Sequence, residues 1–342
     1  MDFSKGYSAS FFGAYYNPVT EFEEGTFDII SGSINREESD LRQSANLVLK
    51  DYEGLNDQWI RIYMDAKQGS DSERVCLFTG LASCPSQSYT KGVLTTNVQC
   101  YSVLKAVSDI QLPIGWYAPA FANGALQIKN LLDGIPFPVY ISDEVSTLKN
   151  AIVAEDGETK LSMIDAILYS MVSENGKTNK KWKLQIDGNG SVHLSPYSDE
   201  PVTIFSPTMD DVIESSFSVD RDWFECPNVF RVVDGDVMAI ARDDEEDSEL
   251  STVSRGREIW MTESSADVAE GESIGEYAKR RLLEEQSRSE KYSYSRRFLP
   301  TVNQGDLVRV MYPEIDGDFY VESQTINLGI NVQTNETIYR NV

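Results

Sequence analysis

The sequence predicts a mainly β chain of the α+β class: two similar antiparallel β-barrel domains, a mixed α/β domain between them, and a helix inserted in the second. Three observations lead there. Runs alternating apolar and polar residues between Gly, Asp and Ser punctuation fill most of 26–107 and resume after Pro207. Apolar residues at helical spacing recur in "KLSMIDAILYSMV" and "SIGEYAKRRLLEEQ". The stretch "QGDLVRVMYPEIDGDFYVESQTINL", residues 304–328, echoes "NDQWIRIYMDAKQGSDSERVCLFTGLAS", residues 56–83. At 342 residues the chain exceeds the roughly 250–300 at which single cores stop growing, so more than one domain is expected.

The first domain is expected over 1–107, with strands in "TFDIISGSI", "SANLVLKD", "WIRIYMDAK", "VCLFTGLAS" and "VLTTNVQCYSVL". In "WIRIYM", Ile60, Ile62 and Met64 share one face and Trp59, Arg61 and Tyr63 the other, so both faces carry bulk and both should be covered. The aromatic "FFGAYYNP" ahead of these strands docks either on its own core or on a partner; an arm that binds a neighbour is the preferred expectation. The middle domain is expected over 108–198. It holds a short helix ending at Gly134, then a helix with Leu161, Ile164, Leu168, Met171 and Val172 on one stripe that stops at Asn175 and Gly176. A hairpin follows in "KWKLQIDGNGSVHLSP", turning at Asp187 to Gly190. The second β domain is expected over 199–342. Strands in "DVIESSFSVD", "NVFRVVDGDVMAIARD" and "GREIWMTES" precede a helix over 273–289, opened by Ser273 and Glu276 in capping-box spacing, and an acidic stretch at 243–249 reads as a solvated loop. "KYSYSRRFLP", "DLVRVMYP", "DFYVESQTINL" and "ETIYRNV" complete it.

In the two echoing stretches, Asp57 precedes "QWIRIYM" as Asp306 precedes "LVRVMY", and Arg61 and Arg309 each have apolar neighbours. Each stretch continues through a Gly-containing turn into a strand, a connection and a closing strand. Convergence on a small β vocabulary and true duplication both account for this, and the spacing of the later elements favours duplication. Three such chains in a ring would present six similar units.

The net charge of −25, from 30 basic and 55 acidic residues, argues against stable nucleic-acid binding, because phosphates are repelled. It fits a soluble acidic surface or a channel face that must not hold polyanions, and an acidic lumen is the corresponding expectation. Cys76, Cys84, Cys100 and Cys226 lack the paired spacing of a metal site and are expected as core thiols in a reducing compartment. No run of about 18 apolar residues occurs, so no helical membrane span is expected, and the N-terminus lacks a signal-peptide layout.

Candidate chemistry is sparse. His193, the sole histidine, falls with Ser191 and Ser195 opposite Val192 and Leu194, which places it on a hairpin surface without triad partners. No phosphate-binding loop is present, and "DGNG" and "DGD" read as turns because neither continues into a calcium loop. No catalytic, cofactor-binding or metal residue is therefore expected. A carboxylate pair for glycoside hydrolysis remains an alternative, because such pairs are spatial.

The layout of these segments, "VCLFTGLAS" with "TTNVQCYSVL", then "MIDAILYSMV" and "WKLQIDGNGSVHLSP", "PNVFRVVDGD", and finally "VNQGDLVRV" with "DFYVESQTINL", resembles the baseplate hub family of phage tails and contractile particles, the late control protein D group among them. The resemblance implies two tail-tube-like barrels per subunit in a homotrimer whose pseudo-sixfold ring adapts a hexameric tail tube to a trimeric central spike. Implied partners are the spike, the tail tube or a tube-initiator protein, baseplate wedge proteins and a tape-measure protein. The implied location is the baseplate of a virion or tail-like particle assembled in a bacterial cytoplasm, with no enzymatic activity. A cell-wall-cleaving tail enzyme and a sugar-binding host-recognition protein are the alternatives.

Overall fold

A computed structural model of the chain describes residues 1–38, 41–50, 57–83, 85–90, 93–148, 150–173, 181–207, 217–264, 272–313, 315–329 and 332–340. Seven strands form the first β unit: β1 (Ser8–Asn17), β2 (Phe22–Glu37), β3 (Gln43–Lys50), β4 (Gln58–Gln68), β5 (Asp71–Ala82), β6 (Ser86–Thr90) and β7 (Val93–Ser102). Hydrogen bonding runs β1-β4-β5-β7-β3-β2, and β1 also pairs with β2, so the order returns to its first strand; β6 folds back on β7. The alternation in β4 sends Ile60, Ile62 and Met64 into a fully buried core with Ile34, Leu47, Leu49 and Phe78. On the opposite face Trp59 meets Phe137 of the middle unit with ring centroids 5.1 Å apart, so this strand is covered on both sides.

The N-terminal aromatics do not form a free arm. "FFGAYYN" lies within β1, paired on both edges, with Phe11 and Tyr15 on the core and Phe12 stacked on Tyr63 at 5.3 Å. An alternating aromatic strand satisfies the edges of β4 and β2, and the chain uses the segment for its own sheet.

The middle unit comprises α1 (Lys105–Ser108), β8 (Tyr117–Ala118), α2 (Gly124–Leu131), β9 (Val139–Ile141), β10 (Ser146–Thr147), β11 (Ile152–Val153), α3 (Lys160–Ser170), β12 (Val172–Ser173), β13 (Trp182–Ile186) and β14 (Val192–Pro196). Its core joins α2, α3 and the β13–β14 hairpin, to which β9 adds in parallel. Thr159 and Ser162 cap each other's backbone at the start of α3. The helix ends earlier than its sequence pattern suggested: Met171 is extended and Val172 pairs with Thr147. Its buried side is Leu161, Met163, Ile164 and Ile167, while Leu168 is only partly covered. The expected stop at Asn175 and Gly176 lies outside the described residues.

The second β unit contains β15 (Thr203–Phe205), β16 (Ser218–Arg221), β20 (Glu290–Arg297), β21 (Leu307–Tyr312), β22 (Ile315–Leu328) and β23 (Gln333–Arg340). Between β16 and β20 the chain inserts β17 (Val229–Asp234), β18 (Val237–Arg242), α4 (Thr252–Arg255), β19 (Trp260–Ser264) and α5 (Ile274–Arg288). The three inserted strands make their own sheet, and Phe230 and Val232 pack against Tyr277, Ala278 and Leu282 of α5. Ser273 and Glu276 form the expected capping box. The acidic 243–249 stretch is largely exposed, with Asp243 receiving Ser248 Oγ at 2.6 Å and Gln286 Nε2 at 3.0 Å. The "DVIESS" part of an expected strand lies outside the described residues; among the described residues of that region Ser218–Arg221 is a strand.

The echoing sequences have the same connectivity. In the first unit β4 pairs with β5, β5 with β7 and β7 with β3; in the second β21 pairs with β22, β22 with β23 and β23 with β20. The strand before each set, β2 or β16, pairs with β3 or β20. The units differ at their edges. β15 joins β21 in parallel, and no pairing closes β15 onto β16 among the described residues. β2 pairs antiparallel with β22 from Gly32↔Leu328 to Glu37↔Ser323, so the two units share one continuous sheet.

Candidate functional site

The three units meet at the β2–β22 joint. Arg36 of β2, 5% exposed, donates through Nη1 to Asn303 Oδ1 at 2.8 Å and through Nη2 to the Leu77 carbonyl at 3.0 Å. Leu77 is the extra residue of a β5 bulge, since Ile62 opposes Phe78 while Tyr63 opposes Cys76. Burial, and then the nearby Arg296 charge, lower the Arg36 guanidinium to about 10. Asp306, just ahead of β21, accepts from Lys183 Nζ at 2.8 Å and Gln185 Nε2 at 3.0 Å, while its second oxygen accepts from the Asn303 backbone at 2.9 Å. Asp306, the counterpart of Asp57 in the echoing sequences, is thus the anchor of the middle unit on the second. Gly305 reaches this position at φ +79°, where a side chain would be strained.

A second buried group sits deeper. Glu336 accepts from Tyr294 OH at 2.7 Å, from Gln324 Nε2 at 2.6 Å and from Arg296, and both charged side chains are nearly inaccessible. Arg296 also lies over the Phe205 ring at 5.4 Å. These charges are compensated in place, so their chemistry is structural: they tie β20, β22 and β23 of the second β unit to one another.

The Asp187–Gly190 turn docks on the β5 bulge. Thr79 Oγ1 and Cys76 Sγ donate to the Gly188 carbonyl at 2.7 and 3.0 Å, and Gln43 Nε2 donates to Ile186 O. A Cβ on Gly188 would stand 1.8 Å from the Cys76 carbonyl oxygen, so the backbones approach as only glycine permits. Burial raises the Cys76 thiol to about 11 and Cys100 to about 12, and burial also raises Cys226, which suits inert core thiols. Cys84 lies outside the described residues.

His193 is on the surface of this hairpin, as expected, with Val192 and Leu194 buried beneath it. It stacks on Tyr140 at 5.1 Å and its Nε2 is 3.3 Å from Asp187 Oδ2. Burial acts to raise Asp187, but His193 and the Ser191 backbone N–H outweigh it and hold the carboxyl below its ordinary range. Asp187 therefore closes a turn, and Asp316 and Asp318 pair with Arg309 at 2.8 and 3.4 Å. Among the described residues no cluster of three metal-ligating side chains occurs, and no helix is long and apolar enough to cross a membrane.

α5 is tied to the middle unit by Glu284, which accepts from Lys181 Nζ at 2.6 Å and from Arg281 Nη1 at 2.6 Å; Arg281 also reaches Tyr169 OH at 2.9 Å. Burial alone would raise Glu284, but Lys181, Arg280 and Arg281 bring it down to about 2. On the outer side of the joint, Asn35, Thr325, Asn335 and Ser295 stand in register, with Thr325 Oγ1 donating to Asn35 Oδ1 at 3.1 Å and Ser295 Oγ to Asn335 Oδ1 at 2.6 Å. The outward row and the buried charges were invisible as a group in the sequence, because each contributes one residue from a distant strand.

This is the fold of phage tail proteins. The chain is similar to the tail protein from Neisseria meningitidis MC58, with TM-score 0.70 and 15% identity over 98% of this chain and 97% of that one. It is similar to the 43 kDa tail protein of prophage MuSo2 from Shewanella oneidensis, with TM-score 0.68 and 15% identity over 97% of both chains. The E. coli c3393 protein, a component of the type VI secretion system, matches with TM-score 0.50 and 7% identity over 92% of this chain and 74% of that one. No protein-family model and no curated protein matches the chain.

Proposed function

We propose that the chain is a structural baseplate hub of a phage tail or a tail-like contractile particle. It trimerises, sets six similar β units in a pseudo-sixfold ring, and adapts a hexameric tail tube to a trimeric central spike. Residues 1–107 and 199–342 supply the two ring units and 108–198 the unit between them. Its partners are the tube or a tube-initiator protein, the spike, wedge proteins and a tape-measure protein, and it acts in the baseplate without catalysing a reaction.

One observation carries this: the same strand connectivity occurs twice and is fused edge to edge through β2 and β22, so each chain brings two copies in one fixed relation. A ring of three then has approximate sixfold symmetry. The likeness to tail proteins and to a secretion-system component supports the same role. Native mass spectrometry and electron microscopy of the purified chain test it. A trimeric ring with six similar lobes is expected, and a strict monomer at every concentration, with or without tube and spike, would refute it.

A further inference from the structure

Outside the two apolar cores, the joined strands turn one continuous face outward. Backbone register places Gln99, Asn46, Ser33 and Asn327 in a cross-strand row beside the Asn35–Thr325–Asn335–Ser295 row. Soluble surfaces carry a charge at roughly one position in three or four. Here the two rows have none until Arg297, which donates to the Ser4 carbonyl at 2.8 Å, and the next row begins at Glu37. A shallow groove of about 690 Å³ within the first unit's part, bordered by Ser33, Asn46, Ser86 and Gln99, has no ionisable lining residue.

The face also lacks what a docking surface needs, a cluster of aromatic or large aliphatic anchors. Tyr101, half-buried, sits at one end of a row, and Ile30, half-exposed at the β2 bulge before Ser31, is separated from it by the Ser33 row, so the two form no cluster. Other exposed apolar side chains lie away from the face: Val19 and Phe22 at the β1–β2 tip, Phe121 in the middle unit, Met238 on β18. The middle unit covers the Trp59 side of the first β unit, and Tyr197 and Arg288 cover only the end at Tyr320 and Tyr339.

Resting on the ring assembly proposed above, we infer that this face is the wall of the ring's central passage, and that the wall is neutral and wetted where the net charge of −25 suggested an acidic one. The axial face of an open ring stays in solvent, and if both units of every protomer border the passage it must run through both. The joined sheet provides such a face. Hydroxyls and amides hold water but give a polyanion no cation to bind and no carboxylate to repel it, so a nucleic acid in transit meets little attraction or barrier.

Asn335→Cys in the full chain, labelled with maleimide-gold and compared with the unsubstituted protein, locates the face by electron microscopy. Gold on the ring axis is expected. Gold on the periphery of an intact ring overturns this inference alone, whereas absence of any ring overturns the hub assignment and this inference with it. A second variant, Ser33→Lys/Asn46→Lys/Asn335→Lys, tests neutrality. Its assembled ring should retain short duplex DNA about ten-fold more than the unsubstituted ring at about 50 mM salt, with the gain lost as salt rises. Strong retention by the unsubstituted ring would refute a non-adhesive wall, and if the lysine variant fails to assemble, the gold position still decides the face.

Discussion

Replacing Gly188 by alanine should loosen the middle unit from the first β unit. The added Cβ would lie 1.8 Å from the Cys76 carbonyl oxygen, where real contacts essentially never fall below 3.0 Å. The obstacle is backbone, so rotating a side chain cannot relieve it, and the hairpin must retreat by more than an ångström. The bonds from Thr79 and Cys76, now 2.7 and 3.0 Å, would then stretch past hydrogen-bond range. Losing two such bonds and leaving a half-buried carbonyl unmet costs about 2–4 kcal/mol. Urea denaturation should show this as a lowered midpoint, and Cys76 should react faster with a thiol reagent as its cover lifts. Gly6→Ala, which meets nothing within 4 Å, serves as the control and should change stability by less than about 0.5 kcal/mol. A Gly188→Ala protein with unchanged midpoint and unchanged Cys76 reactivity would refute the docking account.

Arg296→Met alone should cost about 3–5 kcal/mol in denaturant unfolding because it strands Glu336, and adding Glu336→Leu should recover much of that loss. A single substitution costing under about 1 kcal/mol would be inconsistent with a compensated buried pair. Glu284 is held at about 2 against an ordinary 4.5, so its stabilisation is complete above about pH 4.5 and disappears as pH falls from there towards 2. That difference corresponds to roughly 3 kcal/mol, and Glu284→Gln should flatten this part of the stability–pH curve while lowering stability at neutral pH. Ser273→Ala removes the cap of α5 and should cost about 1 kcal/mol, read from the same unfolding curves, with no effect if the α5 terminus is already frayed.

The sequence by itself determined the local pattern. Alternation in "WIRIYM" placed Ile60, Ile62 and Met64 inward, Ser273 and Glu276 marked the start of α5, and "DGNG" turned the β13–β14 hairpin, because these depend on residues within one or two turns of chain. It also carried the echo, since each copy spells out its own strands. Tertiary structure decided what each copy touches. Asp57 and Asp306 look alike in sequence, yet only Asp306 is met by Lys183 and Gln185 from the hairpin. Met171 and Val172 left the helix because a partner strand was available at Thr147, and the N-terminal aromatics became β1 because β4 and β2 left edges to fill. The continuous uncharged face arose only when β2 paired with β22, since residues nearly 300 positions apart acquire a common face through register alone.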